Sequence, residues 1–530
     1  MSDTTVDAVV IGAGPNGLTA AAVLADAGWD VLVLEEQPEP GGAVRSAELH
    51  PGYCADLFSA FYPLGVASPA FQALDLASHG LRWARSPKAF GHPLGPDDED
   101  AIVVSPDPTD TAADLERRCV GDGEAWLAVF DQWKQVRGPL LELLLGPFPP
   151  VRGSVDLLRT MKTGDLLRYA RMLALPVTRM SSELFGGSAA RLLLLGNAMH
   201  ADTPPEAPGS GVMGYMLTML AQDVGFPAPV GGAGALTDAL VRRGASAGAQ
   251  LRCDSPVVGV EVQGGKVSAV RTAGGERVKV RRAVLADTSA PALYSRLLPA
   301  DAVGSRVLDD LRKFEWDTPV VKVNYALDGR VPWRSPSLSG AGTVHVGADT
   351  DAMIRWSVDL STGIVPESPF LLFGQMTTTD ATRSPEGTES CWAYTHLPRG
   401  ITDDASADLL AERVDAQLEA YAPGFGARVV GRHVQRPGDL EAADANLVGG
   451  AVNGGTAQVH QQLFLRPTPG FGGPRTPVEG VYLASSGAHP GGGVHGMGGW
   501  NAAHAALADR KRTAPVTRRV RNTARRVLFS

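Results

Sequence analysis

The residues with types and settings suited to chemistry are few. His495 lies inside a glycine-rich run, GAHPGGGVHGMGGW (487–500). An imidazole has a free pKa of about 6.5, so His495 can act as acid or base beside a reacting group, or else only pack and orient. Lys322 lies in PVVKVNYAL (319–327). It shares one strand face with Asn324, opposite Val321, Val323 and Tyr325, and reads either as a functional cation or as a solvated edge lysine. His200 and His489 are further candidates. Glu35 ends a β-branched run 23 residues after Gly12. A carboxylate at that distance can accept hydrogen bonds from ribose hydroxyls.

The elements around Glu35 give it that role. VDAVVI (6–11) reads as a buried strand, GAGPNG (12–17) as a turn, and Leu18 to Ala27 as a helix closed by Gly28, with a second strand at Val31 to Leu34. This is a βαβ unit of about 30 residues. Gly12 permits the turn, Gly14 lets backbone approach a diphosphate, and Gly17 lets the helix pack on the strand. The diphosphate would rest at the helix N-terminus, where free N–H groups and the dipole favour an anion. The acid at Glu35 favours FAD or NAD over NADP. Gly41-Gly42 follows, with Arg45 and Ser46 beyond it.

Two more glycine clusters lie downstream. The second begins at Gly231, Gly232 and Gly234, before a helix from about Ala235 to Gly244. Strands then read at Pro256–Val262, Val267–Thr272, Glu276–Val280 and Ala283–Leu285, with hairpin turns at Gly264-Gly265 and Gly274-Gly275. The third is GVYLASSGAHPGGGVHGMGGWNAAHAAL (480–507): a strand at Tyr482 to Ala484, a glycine bed, and a helix from Asn501. So many glycines before a helix fit backbone packed against a flat ring, with the helix N-terminus near Gly498 aimed at it.

In this order and spacing, the three clusters resemble the phytoene desaturase (phytoene dehydrogenase-like) branch of the FAD-dependent amine oxidase superfamily. Within it the chain looks closest to the bacterial and mitochondrial subgroup named after a pyridine nucleotide-disulfide oxidoreductase domain. The resemblance spans about residues 6–508. It rests on DAVVIGAGPNGL with VLVLEE and PGG, on PVGGAGALTDAL, on TPVVKVNYAL and on HPGGGVHGMGGWNAAHAAL. It implies an α/β fold: a Rossmann-type FAD-binding domain assembled from residues 1–75, 230–300 and 470–508, and an α+β substrate domain, mixed sheet plus helices, from 76–229 and 301–469. It also implies FAD contacts at Gly12, Gly14, Gly17, Glu35, Gly41, Gly42, Val257, Gly487, Gly493 and Val494. The arginine that many relatives carry directly after Gly-Gly is Ala43 here, and Arg45, two residues on, is expected to bind the cofactor in its place. The acid that many place in the C-terminal flavin strand is replaced by Ser485 and Ser486. Some flavin amine oxidases set a lysine near the flavin to handle water or oxygen, the role Lys322 would take.

Composition narrows the partners. Apolar residues make up 44% and charged residues 20%, ordinary globular usage that excludes a disordered or fibrous chain. The segment 509–530 carries a net +7 against −9 for the whole, leaving −16 for the rest. That acidic body excludes a nucleic-acid footprint. The tail reads as a solvated basic end, or as an attachment to anionic membrane lipid. Four cysteines without a C-x-x-C pair fit a reducing compartment and exclude a redox dithiol; no metal site is expected. With no signal-like N-terminus and no apolar run long enough to span a bilayer, the expected location is cytoplasmic, soluble or membrane-peripheral.

Residues 138–200 are apolar at helical spacing. They read as core helices or as the walls of a funnel for a long apolar substrate, and Met213, Met216 and Met219 read as core filling. The expected activity is hydride transfer from a hydrophobic, lipid- or isoprenoid-like substrate to FAD, with oxygen or a quinone as acceptor, because no second nucleotide fingerprint offers an NAD(P)H domain. The alternatives are a flavin amine oxidase, which should carry an aromatic cage and a well-placed lysine, and a non-catalytic regulator that binds lipid or prenylated protein on the same fold.

Overall fold

The computed structural model describes residues 4–347 and 349–510. The basic tail expected to meet solvent or lipid lies almost wholly outside the described residues. Two seven-stranded sheets organise the rest. In the first, Thr4–Ile11 pairs in parallel with Arg277–Ala286 on one side and Val31–Leu34 on the other. Gln250–Arg252 and Val481–Leu483 extend the parallel set. The hairpin Val257–Gln263 with Lys266–Thr272 adds antiparallel strands. Segments far apart in the chain therefore align their C-terminal ends along one crevice, where α/β sheets bind ligands. Val10, Val33 and Leu285 are almost fully buried under helices on one face, and Val9, Leu32 and Val284 on the other under short helices together with residues of the hairpin.

The two short strands expected between Glu276 and Leu285 are one strand, Arg277–Ala286. Its register shifts opposite Val6 and Ala8, and there Arg281 and Arg282 both reach Asp7, at 2.7 and 3.3 Å. The paired arginines mimic a turn in the sequence, whereas the backbone passes through them with an irregularity. The final helix begins at Met497, four residues before the expected Asn501.

The second sheet is mostly antiparallel, in the order Val429–Gln435, Val320–Leu327, Glu389–His396, Leu371–Gln375, Ala341–Val346, Lys88–His92, Ile102–Val104. One face packs on the helix Asp404–Tyr421 and forms a core with Val321, Val323 and Tyr325. The other face meets the helices Asp122–Leu145, Ser188–Ala198 and Ser210–Val224. The buried indoles of Trp126 and Trp133 donate to Gln222 and Asp223 at 3.0 and 3.1 Å, so the first of these helices is keyed to the third by polar bonds as well as by apolar packing.

A polar knot joins the two sheets. Asp56 ends the strand Tyr53–Asp56 and is fully buried. Its carboxylate meets Arg383 at 2.5 Å, and neither side chain is exposed. The same carboxylate accepts from Ser46 Oγ at 2.8 Å and from the Ala233 N–H at 2.7 Å, just before the helix Gly234–Ser246. Removing one partner of a buried pair strands the other charge, at a cost of about 3–5 kcal/mol. Arg383→Met should therefore lower the unfolding free energy by about that much in chemical denaturation, and an unchanged midpoint would contradict the role given to the pair.

Candidate functional site

The first glycine turn sits at the crevice end of Thr4–Ile11 and leads into the helix Pro15–Asp26. Glu35, just past Val31–Leu34, is 8% exposed. Its carboxylate accepts the Ala13 N–H at 2.6 Å and the Gln37 N–H at 2.9 Å, which fixes it beside the turn with lone pairs to spare. The Gly41-Gly42 pair lies against this turn. A Cβ on Gly42 would come within 3.3 Å of Gly14 Cα and 3.2 Å of Asp444. Arg45 does not point freely into the cleft. Its guanidinium donates to the Gly42 and Ala443 carbonyls at 3.0 and 2.7 Å, tying the end of the helix Pro437–Ala443 to the Gly41-Gly42 pair and so correcting its expected place against the cofactor. Val257 opens the hairpin strand and is half-buried.

The third cluster turns from the crevice toward a cavity of about 530 Å³ between the two sheets. Gly493, Val494 and His495 line it; Gly487 instead packs on Ala290. Ser485, standing where relatives carry an acid, donates to the Thr288 carbonyl at 2.6 Å. His495 is 1% exposed, and burial pushes its imidazole down to about 4. Its Nδ1 accepts the Met497 N–H at 3.1 Å, so the proton belongs on Nε2, a buried donor without a protein partner. His495 is thus a neutral donor at physiological pH and does not keep its free pKa. Burial likewise lowers His489 to about 4, and the ring meets the Gly146 carbonyl at 3.0 Å.

Opposite stands Lys322. The expected solvated edge does not exist, because Val320–Leu327 lies between two strands and Lys322 is 3% exposed. Its ammonium donates to the carbonyls of Asp56 and, at 2.9 Å, Phe58, and lies 5.5 Å from the Trp392 ring centroid. Burial drives its pKa down to about 7, against the pull of Asp56. Trp392 and Tyr394 stack at 5.8 Å, and Gly374 leaves room for the indole, which a Cβ there would strike. His200 also lines the cavity, with its Nε2 3.0 Å from the His345 Nε2. Met213 and Met216 line the cavity, whereas Met219 is core.

Sequence reasoning missed Arg466. It is 1% exposed, and its guanidinium reaches the carbonyls of Ser486, Thr456, Asn453 and Gly454 at 2.8, 3.0, 3.1 and 3.0 Å. It has no carboxylate in ion-pair contact among the described residues, and burial lowers its pKa to about 10. No Asp or Glu lines the cavity among the described residues, whereas Lys322 and Arg466 do. No local pattern marks an arginine in such a loop, and only the tertiary fold gathers its carbonyls.

The comparisons follow this geometry. Residues 10–75 match the NAD(P)-binding Rossmann-like domain. The rat pyridine nucleotide-disulfide oxidoreductase domain-containing protein 2 is 29% identical, over 95% of this chain and 94% of its own. A zeta-carotene-forming phytoene desaturase of Myxococcus xanthus is 26% identical, over 74% of this chain and 73% of its own. A solved putrescine oxidase shares the fold with TM-score 0.60 at 17% identity, covering 96% of this chain and 99% of that one. These findings fit the phytoene desaturase-like branch of the FAD-dependent amine oxidase superfamily. Over most of its length the chain is similar to oxidoreductases of this kind. The residues present fit the cofactor: a glycine turn at a helix N-terminus, Glu35 fixed beside it, and the unpartnered His495 Nε2 donor where the crevice meets the cavity.

Lys322 loses its proton near pH 7 when folded and near 10.5 when unfolded. Its burial therefore costs most below pH 7, and the cost shrinks as pH rises between those values. Lys322→Met should be more stable relative to wild type at about pH 6 than at about pH 9. A pH-independent difference in urea denaturation would contradict the shift.

Proposed function

We propose that the protein oxidises a hydrophobic, lipid- or isoprenoid-like substrate by hydride transfer to FAD, with oxygen or a quinone as the final acceptor. One observation carries the reading: the cavity beside Gly493 and Val494 is walled by residues such as Leu64, Leu145, Val212, Leu217 and Phe226 and, among the described residues, by no acid. A cavity of this size accommodates small to mid-sized organic molecules. Two buried cations without a lining carboxylate disfavour a charged ammonium ligand. The desaturase named among the relatives, which forms zeta-carotene, agrees with an apolar hydrocarbon.

Bound FAD would supply the hydride acceptor. Gly12, Gly14, Gly17, Glu35, Gly41 and Gly42 would hold its dinucleotide half. Gly493, Val494 and His495 would bed the ring, with the His495 Nε2–H as a donor toward it. The apolar walls hold the reacting C–H and exclude water. A desaturation also releases a proton from the neighbouring carbon. Lys322 lies in the wall and is half neutral near pH 7, so it can take that proton or hold a water that does.

A second reading has its own support. Lys322 beside the Trp392–Tyr394 stack supplies the lysine and aromatic surface that an amine oxidase should carry. Anaerobic titration separates the two. The purified protein should be yellow, and an apolar alkene or isoprenoid should bleach it while primary amines do not. Bleaching by amines alone would favour the oxidase. A yellow protein that neither class reduces would favour a binding role without turnover, and a colourless protein that takes up no FAD would end the flavoenzyme account.

A further inference from the structure

Asp287 follows the strand Arg277–Ala286 at the crevice and is 7% exposed. Its backbone N–H donates to the Ile11 carbonyl at 2.8 Å, and its own carbonyl accepts from Asn446 Nδ2 at 3.0 Å. Its carboxylate caps the dinucleotide helix: the Gly17 N–H donates to Oδ2 at 2.8 Å. All three fingerprint glycines leave room for this one residue. A Cβ on Gly12 would lie 2.9 Å from the Asp287 carbonyl oxygen, on Gly14 2.7 Å from Oδ2, and on Gly17 3.2 Å from both Cβ and Oδ2.

The charges around it are unbalanced. Glu35 faces it from the end of Val31–Leu34, and Asp444 from the loop after Pro437–Ala443. Arg45 is the nearby cation on the Asp444 side, but its guanidinium is bonded to the Gly42 and Ala443 carbonyls. The first turn of Pro15–Asp26 brings no titratable group. Past Val481–Leu483, Ser485 gives its hydroxyl to the Thr288 carbonyl. Asp287 has no ion-pair partner among the described residues. Burial, with Asp444 and Glu35 adding, raises its pKa to about 7.

The helix end that favours one anion would receive the diphosphate of FAD while a carboxylate already occupies one of its donors, the Gly17 N–H. Two anions at one helix end, with no cation between them, repel strongly in a buried site. We propose that Asp287 binds a proton as FAD binds, so that the diphosphate meets a neutral carboxylic acid. Above neutral pH, where the empty site holds Asp287 as a carboxylate, one proton is taken from solvent for each FAD bound, and no electron or other group is transferred. This rests on the cofactor reading of the cleft and adds a residue to it.

The test uses the full chain stripped of flavin, with FAD affinity followed by flavin fluorescence from about pH 6 to about pH 9. The dissociation constant should be flat at the acid end and weaken above neutrality, approaching tenfold per pH unit. Calorimetry in buffers of different ionisation heat should show uptake of nearly one proton at about pH 8 and almost none at the acid end. Asp287→Asn, checked for folding by circular dichroism, should bind at least as tightly at about pH 8 and lose the pH dependence. PH-independent binding without proton uptake in the wild type would overturn the proposal even if the asparagine variant failed to fold, and so would a slope that survives in Asp287→Asn. Absence of FAD binding at every pH would remove the cofactor reading itself and the proposal with it.

Discussion

The buried contact between Asp56 and Arg383 ties the crevice at the glycine turns to the cavity between the two sheets. Asp56 receives Arg383 from the second sheet's side, the Ala233 N–H from the start of a helix on the first sheet, and Ser46 from the adjoining hairpin. Its backbone carbonyl also accepts the Lys322 ammonium. One residue therefore sets where the cavity lysine stands relative to the glycine turns. Exposed, such contacts would contribute little, but inside the protein each unmatched charge is costly, so the constellation must form whole or not at all.

From that knot, the site divides into two environments of opposite character. The crevice end gathers carboxylates, Glu35, Asp287 and Asp444, around backbone donors. The cavity end gathers Lys322 and Arg466 within apolar walls that carry no acid among the described residues. Arg466 holds the 453–456 loop against Ser486 by carbonyls alone, while Asp317 accepts N–H groups of Val452 and Asn453 at 2.8 and 2.9 Å. A cofactor spanning both ends would place its anionic half among helix-terminal N–H groups and its ring beside buried positive charge.

Much of the architecture was legible because it obeys local rules. The turn at Gly12 to Gly17, the strand ending at Glu35 and the helix after the third cluster each follow from glycine geometry and β-branched runs within a few residues. What was not legible depends on contacts between distant segments. Lys322 looked like an edge lysine because strand order cannot be read from one strand. Asp56 and Arg383 are separated by more than 300 residues, as are Gly146 and His489. Arg281 and Arg282 looked like a break and proved to be a register shift over Asp7. The sequence places His495 in the third glycine cluster, yet its neutrality comes from burial that composition does not reveal.

The account's central claim is that one FAD spans both environments, with its ring on the Gly493–Val494 wall facing Lys322 and Trp392. A crystal structure of the flavin-loaded protein tests this most directly. The account predicts ring density against Gly493 and Val494 and the diphosphate at the start of the Pro15–Asp26 helix. A ring lodged outside the cavity, or a diphosphate bound away from that helix end, would contradict it.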